Sequence, residues 1–139
     1  PYANLIMLKN LAAFDANSHN KEVSIGIETL LSLWENSREQ KPFLFKMGTD
    51  FRKLKVPFIW YDILHVTDVL SQYPQAWSDN RFLEMVKVIE SKADENGRYK
   101  SESIWTKWKG WEFCQKREPS RWVTLCVLRM LRRNPNINR

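Results

Sequence analysis

Apolar residues recur three and four positions apart in three separate stretches of the chain. In the segment that opens at Tyr61-Asp62, the residues Ile63, Val66, Val69 and Leu70 fall on one helical face. The stretches Asn4 to Leu11 and Thr124 to Leu131 carry the same pattern. With Asn4, Asp62 and Thr124 aligned, the copies lie 58 residues (4 to 62) and 62 residues (62 to 124) apart. The first two copies are each followed by a second amphipathic segment. A period near sixty residues built from helix pairs points to stacked or ring-like helical hairpins.

The same pattern places the elements. A first helix is expected from Tyr2 to Phe14, a turn at Asp15-Ala16-Asn17-Ser18, and a second helix capped by Asn20. That second helix puts Val23, Ile27, Leu30, Leu31 and Trp34 on one face. Gly26 lies inside it, which implies a close neighbour, because glycine weakens a helix interior. From Glu35 to Val56 the chain is polar, apart from Phe43, Leu44, Phe45 and Met47, and reads as a long connection with one packed apolar stretch. Pro57 suits the first turn of a third helix, expected from Phe58 to Gln72 and ended by Tyr73-Pro74. Ser78 or Asp79 caps a fourth helix presenting Phe82, Met85, Val86 and Ile89. Asp94-Glu95-Asn96-Gly97 is a turn, followed by an extended tryptophan-rich connection through Trp105, Trp108 and Trp111. Pro119-Ser120 starts the last helix and Asn134-Pro135 stops it.

At 139 residues the chain makes a single helical domain, residues 1–139, large enough for a core without disulfides or metal. No window approaches the roughly 18 unbroken apolar residues of a membrane span, and no signal peptide opens the sequence. Cys114 and Cys126 are isolated and fit a reducing, cytoplasmic setting, with Cys126 on an apolar helix face. The net charge is +6, much of it late, in Lys107, Lys109, Lys116, Arg117, Arg121, Arg129, Arg132, Arg133 and Arg139. Such a tail attracts phosphates, yet no nucleic-acid motif accompanies it, and solvated helix ends that complement the helix dipole explain it better.

Three stretches resemble a known superfamily. Phe58-Ile59-Trp60-Tyr61-Asp62-Ile63-Leu64-His65-Val66 resembles the start of a helix hairpin in bacterial proteins related to terpenoid cyclases and protein prenyltransferases. Ser91-Lys92-Ala93-Asp94-Glu95-Asn96-Gly97-Arg98-Tyr99 is similar to their loop Gln-Asp-x-Asp-Gly-x-Trp, with Ala93 in place of the glutamine and Tyr99 in place of the tryptophan. Pro119-Ser120-Arg121-Trp122-Val123-Thr124-Leu125 resembles the opening of their closing helix. The resemblance implies an all-α fold, a partial α/α toroid of about five main helices. It also implies a piece of a larger toroid, since the sequence opens on Pro1 and supplies only two and a half hairpins. The implied alternatives are missing sequence or self-association, with Leu5, Leu8 and Leu11 at one edge and Leu125, Leu128 and Leu131 at the other.

The family chemistry does not transfer residue by residue. The Asp-x-Asp-Asp acid of the hopene-type cyclases has no counterpart here. Glu112-Phe113-Cys114 approximates the prenyltransferase zinc motif, but no histidine follows it. No catalytic residue, metal ligand set or cofactor is therefore assigned. No Gly-x-Ser-x-Gly elbow or phosphate-cradling glycine loop is present.

The ligand-binding candidates are Asp62, His65, Trp60, Tyr61, Trp105, Trp108 and Trp111. Asp62 and His65 are three apart and share a helix side, where such a pair can hold a metal or move a proton. A zinc site needs three or four ligands, so a helix cap at Asp62 and a satisfied interior His65 weigh more. The aromatics suit a small hydrophobic, isoprenoid-like ligand or a carbohydrate, though core packing accounts for most such residues. Trp105, Trp108 and Trp111, interleaved with Lys107 and Lys109, are the least core-like and predict an exposed aromatic-basic strip. Nucleic-acid binding through residues 98–121 by stacking and phosphate contacts ranks below that reading. The sequence thus favours a binding or structural module over an enzyme.

Overall fold

The computed structural model describes residues 1–14, 20–37, 39 and 47–136. The described residues form five α-helices and no strand: α1 (Tyr2–Phe14), α2 (Asn20–Glu35), α3 (Ile63–Leu70), α4 (Asn80–Glu90) and α5 (Arg121–Leu131). Short 3₁₀ segments occupy Pro74–Ser78 and Thr106–Trp108. The all-α class read from the sequence is correct. The expected turn at 15–18 and the apolar run Phe43-Leu44-Phe45 lie outside the described residues, as does the side chain of Asn20.

The three in-phase segments lie side by side. Helix α3 packs against both α1 and α5, while α2 packs on α1, α4 packs on α3, and α2 and α4 pack on each other. The result is a row of α1, α3 and α5 backed by a row of α2 and α4. All eight residues of α3 are buried. Helices α2 and α4 bury the faces predicted for them, Val23, Ile27, Leu30, Leu31 and Trp34 on one and Phe82, Met85, Val86 and Ile89 on the other. Cys126 is buried, as its apolar face implied.

Helix α3 is shorter than the periodicity suggested. It was expected from Phe58, with Pro57 in its first turn, but it begins at Ile63 after an extended Asp62 (φ −140°, ψ 169°). The cause is the Asp62 carboxyl group. Its Oδ1 accepts from the Leu64 and His65 amides at 3.0 and 3.1 Å, taking donors that the carbonyls of residues 60 and 61 would use in a continuing helix. The chain upstream turns back instead, with Ile59 N–H donating to the Pro57 carbonyl (2.8 Å) after a cis Val56–Pro57 bond.

Polar side chains tie the rows together. Arg129 and Arg133 of the α5 end both donate to Asp68 Oδ1 (2.9 Å each), and Arg133 also reaches the Asp68 carbonyl and Ser71 Oγ. Arg81 joins α4 to α2 through Glu28 (2.8 and 2.9 Å). Tyr73 donates its hydroxyl to the Leu8 carbonyl. The predicted turn at 94–97 is present: Gly97 has φ +70°, and Asp94 Oδ1 accepts from the amides of Asn96 and Arg98. Tyr99 then docks on α5, its amide donating to Thr124 Oγ1 and its carbonyl accepting from the Ser120 amide.

The expected edges need one correction. Leu5 and Leu8 are fully buried, so they do not form an edge, whereas Leu125 and Leu128 are exposed as anticipated. The reason is the approach of α2. Gly26 is buried at the α1–α2 crossing, where Asn4 Nδ2 donates to its carbonyl at 2.9 Å. An added Cβ would sit 3.0 Å from both Asn4 Oδ1 and Leu8 Cδ2.

Gly26→Ala should therefore lose stability despite alanine's better helix propensity. The propensity gain is about 1 kcal/mol, and overpacking costs about 1–3 kcal/mol, so a net loss of about 1 kcal/mol is expected. Urea denaturation checks it; a rise in midpoint would contradict the close crossing.

Candidate functional site

The seven predicted ligand residues divide into a buried pair and an exposed strip. Asp62 and His65 are both fully buried. Asp62 is the N-cap of α3, so its Oδ1 is committed to backbone. Its Oδ2 is buried with no hydrogen-bond partner among the described residues. Burial pushes the carboxyl up to about 8, against the opposing pull of the two cap amides and of Lys55. At neutral pH the carboxyl is thus protonated, and the proton sits on Oδ2 because Oδ1 accepts two N–H bonds.

His65 Nδ1 lies 2.7 Å from the Trp60 carbonyl. A carbonyl only accepts, so Nδ1 carries the proton and Nε2 is a bare acceptor. Nε2 is also buried without a hydrogen-bond partner among the described residues. The ring stacks on Phe58 (centroids 5.1 Å apart, 6° between planes) and meets Tyr2 edge-on. Burial holds the imidazole below its ordinary value. The pair is therefore neutral, and neither residue lines the cavities at the tryptophan loop, the 92–102 turn, the α5 face or α2. Among the described residues no group of three His, Cys, Asp or Glu side chains is placed to hold a metal.

Tyr61 is half-buried, its ring 5.6 Å from Phe51, and burial pushes its phenol up. Trp60 faces the other way and opens a continuous series of rings. Trp60 meets Trp105 at 5.7 Å, Trp105 meets Trp108 at 5.0 Å, Trp108 meets Phe113 at 6.2 Å and Phe113 meets Trp111 at 5.8 Å. These are edge-to-face or tilted contacts, the favourable geometry for aromatic pairs. Lys55 lies over Trp60 at 5.6 Å and Lys107 over Trp105 at 5.4 Å.

Local backbone bonds shape this loop. The amides of Trp108, Lys109, Trp111 and Cys114 each donate three residues back, a run of tight turns closed by Gly110 at φ +102°. Only glycine takes that conformation readily. Ser101 Oγ donates to the Phe113 carbonyl (2.6 Å), and Cys114 Sγ donates to the Trp105 carbonyl (2.9 Å). The loop is anchored to the core where Glu102 exchanges bonds with Leu54 and accepts from Lys92.

An open cavity of about 810 Å³ lies beside it, lined by Ile104, Lys109, Trp111, Cys114, Lys116 and Arg117 among others. Trp111 is 62% exposed on its wall. Between 104 and 117 there are four cations (Lys107, Lys109, Lys116, Arg117) and one anion, Glu112. Glu112 faces α5, accepting from Ser120 Oγ at 2.8 Å and from the Arg121 amide. Glu112 also lines the cavity, so its rim carries three cations, Lys109, Lys116 and Arg117, against one carboxylate, above an apolar wall.

Sequence reasoning placed Trp105, Trp108 and Trp111 together on the surface, and they are together. The basic-aromatic segment 98–121 also contains Phe113, which joins Trp108 to Trp111, and Lys116 and Arg117, which share the rim with Lys109. The sequence does not single out Phe113 within that segment as the ring that links the two tryptophans. No protein-family model, curated protein or solved structure matches this chain.

The buried pair gives a pH signature. Asp62 has a folded pKa above its unfolded value of 3.8, so its contribution falls as pH rises from about 4 to about 8. His65 has a folded pKa below 6.5, so its contribution rises with pH only up to about 6.5. Between 6.5 and 8 only the first effect operates. Stability measured by urea denaturation should fall across that window in the wild type, and Asp62→Asn, which keeps the cap oxygen, should flatten it. An unchanged slope in the variant would contradict a protonated Asp62.

Proposed function

We propose that this protein is a ligand-binding helical module, related in architecture to the α/α toroids, whose tryptophan loop takes an amphipathic organic anion. The observation that carries this reading is the cavity at 104–117, with Trp111 on its wall and Lys109, Lys116 and Arg117 around it. The apolar body would lie on Trp111 and the anionic end would meet the cations. An isoprenoid diphosphate has this chemistry. The side-by-side row of α1, α3 and α5 supports the toroid comparison. The neutral, enclosed Asp62 and His65 support a binding or structural role over a catalytic one.

Nucleic acid is the second reading, favoured by the same rings and cations, since bases stack on exposed tryptophan and phosphates seek lysine. Tryptophan fluorescence titration separates the two, with farnesyl diphosphate, farnesol, inorganic pyrophosphate and oligodeoxythymidylate as probes. Farnesyl diphosphate should bind more tightly than farnesol or pyrophosphate. Trp111→Ala should weaken it at least about fivefold, the loss of one aromatic stacking contact of about 1 kcal/mol or more. Binding of the oligonucleotide alone, with a steep loss on adding salt, would transfer the site to nucleic acid. Conversion of farnesyl diphosphate to a new product would overturn the non-catalytic reading.

A further inference from the structure

The two outer members of the α1–α3–α5 row present complementary outward stripes. On α5, the exposed residues Arg121, Leu125, Leu128 and Arg132 are spaced four, three and four apart. That spacing puts them on one line of the helix, opposite the buried Val123, Cys126, Val127 and Met130. Trp122 flanks the line and is exposed as well. On α1, the exposed residues Ala3, Met7, Asn10 and Phe14 have the same four-three-four spacing. They lie opposite the buried Leu5 and Leu8. Five of the ten large hydrophobic residues exposed among the described residues sit on these two helices: Met7, Phe14, Trp122, Leu125 and Leu128. Isolated surface leucines need no explanation, but a stripe on each end of a repeating row does.

The middle of the row shows what such a stripe packs against. Helices α1, α3 and α5 carry the in-phase pattern, and α3 is buried throughout because α1, α5 and α4 all pack on it. Helices α1 and α5 each have α3 on one side. We infer that a second copy of this chain is the occupant of the α5 face: α1 of the next molecule packs on α5 as α3 packs on α1, so that molecules join head to tail. This rests on the layered reading of the fold and not on the ligand site. The α1 segment contains no acidic residue, so Arg121 and Arg132 have no ionic partner there and remain at the wet ends of the contact. The centre of the contact is Leu125 and Leu128 against Met7, with Asn10 toward the wet margin. Such an interface is heterologous, and it grows into a chain or closes into a ring as the rotation dictates.

The driving force is apolar and the molecules carry +6 each, so salt has a definite effect. Screening reduces repulsion between like-charged copies and should strengthen association. A partner held by the arginines would respond in the opposite direction.

Sedimentation equilibrium from micromolar to millimolar protein tests this, with the mass of 16.6 kDa as the unit. The wild type should show a mass that rises with concentration and rises further at high salt. Met7→Lys and Leu128→Lys alter exposed positions and should each be monomeric, with helicity by circular dichroism unchanged. Their mixture should give a dimer and nothing larger, because only the intact α5 of the first and the intact α1 of the second can meet. A wild type that stays monomeric throughout overturns the proposal. So does self-association of Met7→Lys alone, which would indicate an α5-to-α5 contact. Failure of farnesyl diphosphate to bind leaves these masses unaffected, so the two readings fail separately.

Discussion

Helix α3 has no side that faces water, and the rest of the molecule is arranged by that constraint. Eight buried residues in a row include His65, Thr67 and Asp68, each of which brings polar groups out of solvent. Leaving such groups unpaired costs about 1–3 kcal/mol each, and the surroundings supply partners for most of them, His65 Nε2 and Asp62 Oδ2 being the exceptions among the described residues. Thr67 turns its hydroxyl onto the Ile63 carbonyl. Asp68 takes two arginines from the end of α5, which fixes how α5 lies on the row. Asp62 supplies the cap, and His65 holds the Trp60 carbonyl. The apolar faces of α1, α4 and α5 complete the enclosure.

That enclosure also separates the two groups of candidate residues. The chain entering α3 must bring Trp60 close enough for its carbonyl to meet His65, and this directs the Trp60 ring toward Trp105. Four further aromatic rings then lead outward to Trp111. Burial therefore neutralises the residues at the inner end and leaves the outer end open and basic. The chemistry available to a ligand lies at the outer end, where an apolar wall and cations coexist. The inner end contributes position.

Much of this architecture was legible in the pattern of apolar positions. Periodicity identified α1, α2, α4 and α5, and α3 does contact both α1 and α5, although the aligned leucines differ, with Leu5 and Leu8 buried where Leu125 and Leu128 are exposed. The start of α3 was not legible in the periodicity. Phe58, Ile59 and Trp60 continue an apolar run, so periodicity alone carries the helix back to Phe58, whereas the reading of Asp62 as a helix cap, which the sequence favours, marks the true start. The burial of Leu5 and Leu8 was missed for a related reason: a stripe of leucines does not say which neighbour covers it, and Gly26 provides that answer only once α1 and α2 cross. At the surface, the tryptophan and lysine alternation was visible from composition. The part played by Phe113 in joining Trp108 to Trp111 was not, since it depends on tight turns through Gly110.

The central claim is that α3 is the enclosed member on which the row depends. Native-state hydrogen exchange of individual amides measures this most directly, because amides released only by complete unfolding exchange with the global stability. The amides of Val66 to Leu70 should be the slowest in the protein and should respond to denaturant with the full slope of global unfolding. Exchange of those amides ahead of the amides of α1 or α5, through a smaller opening, would contradict the account.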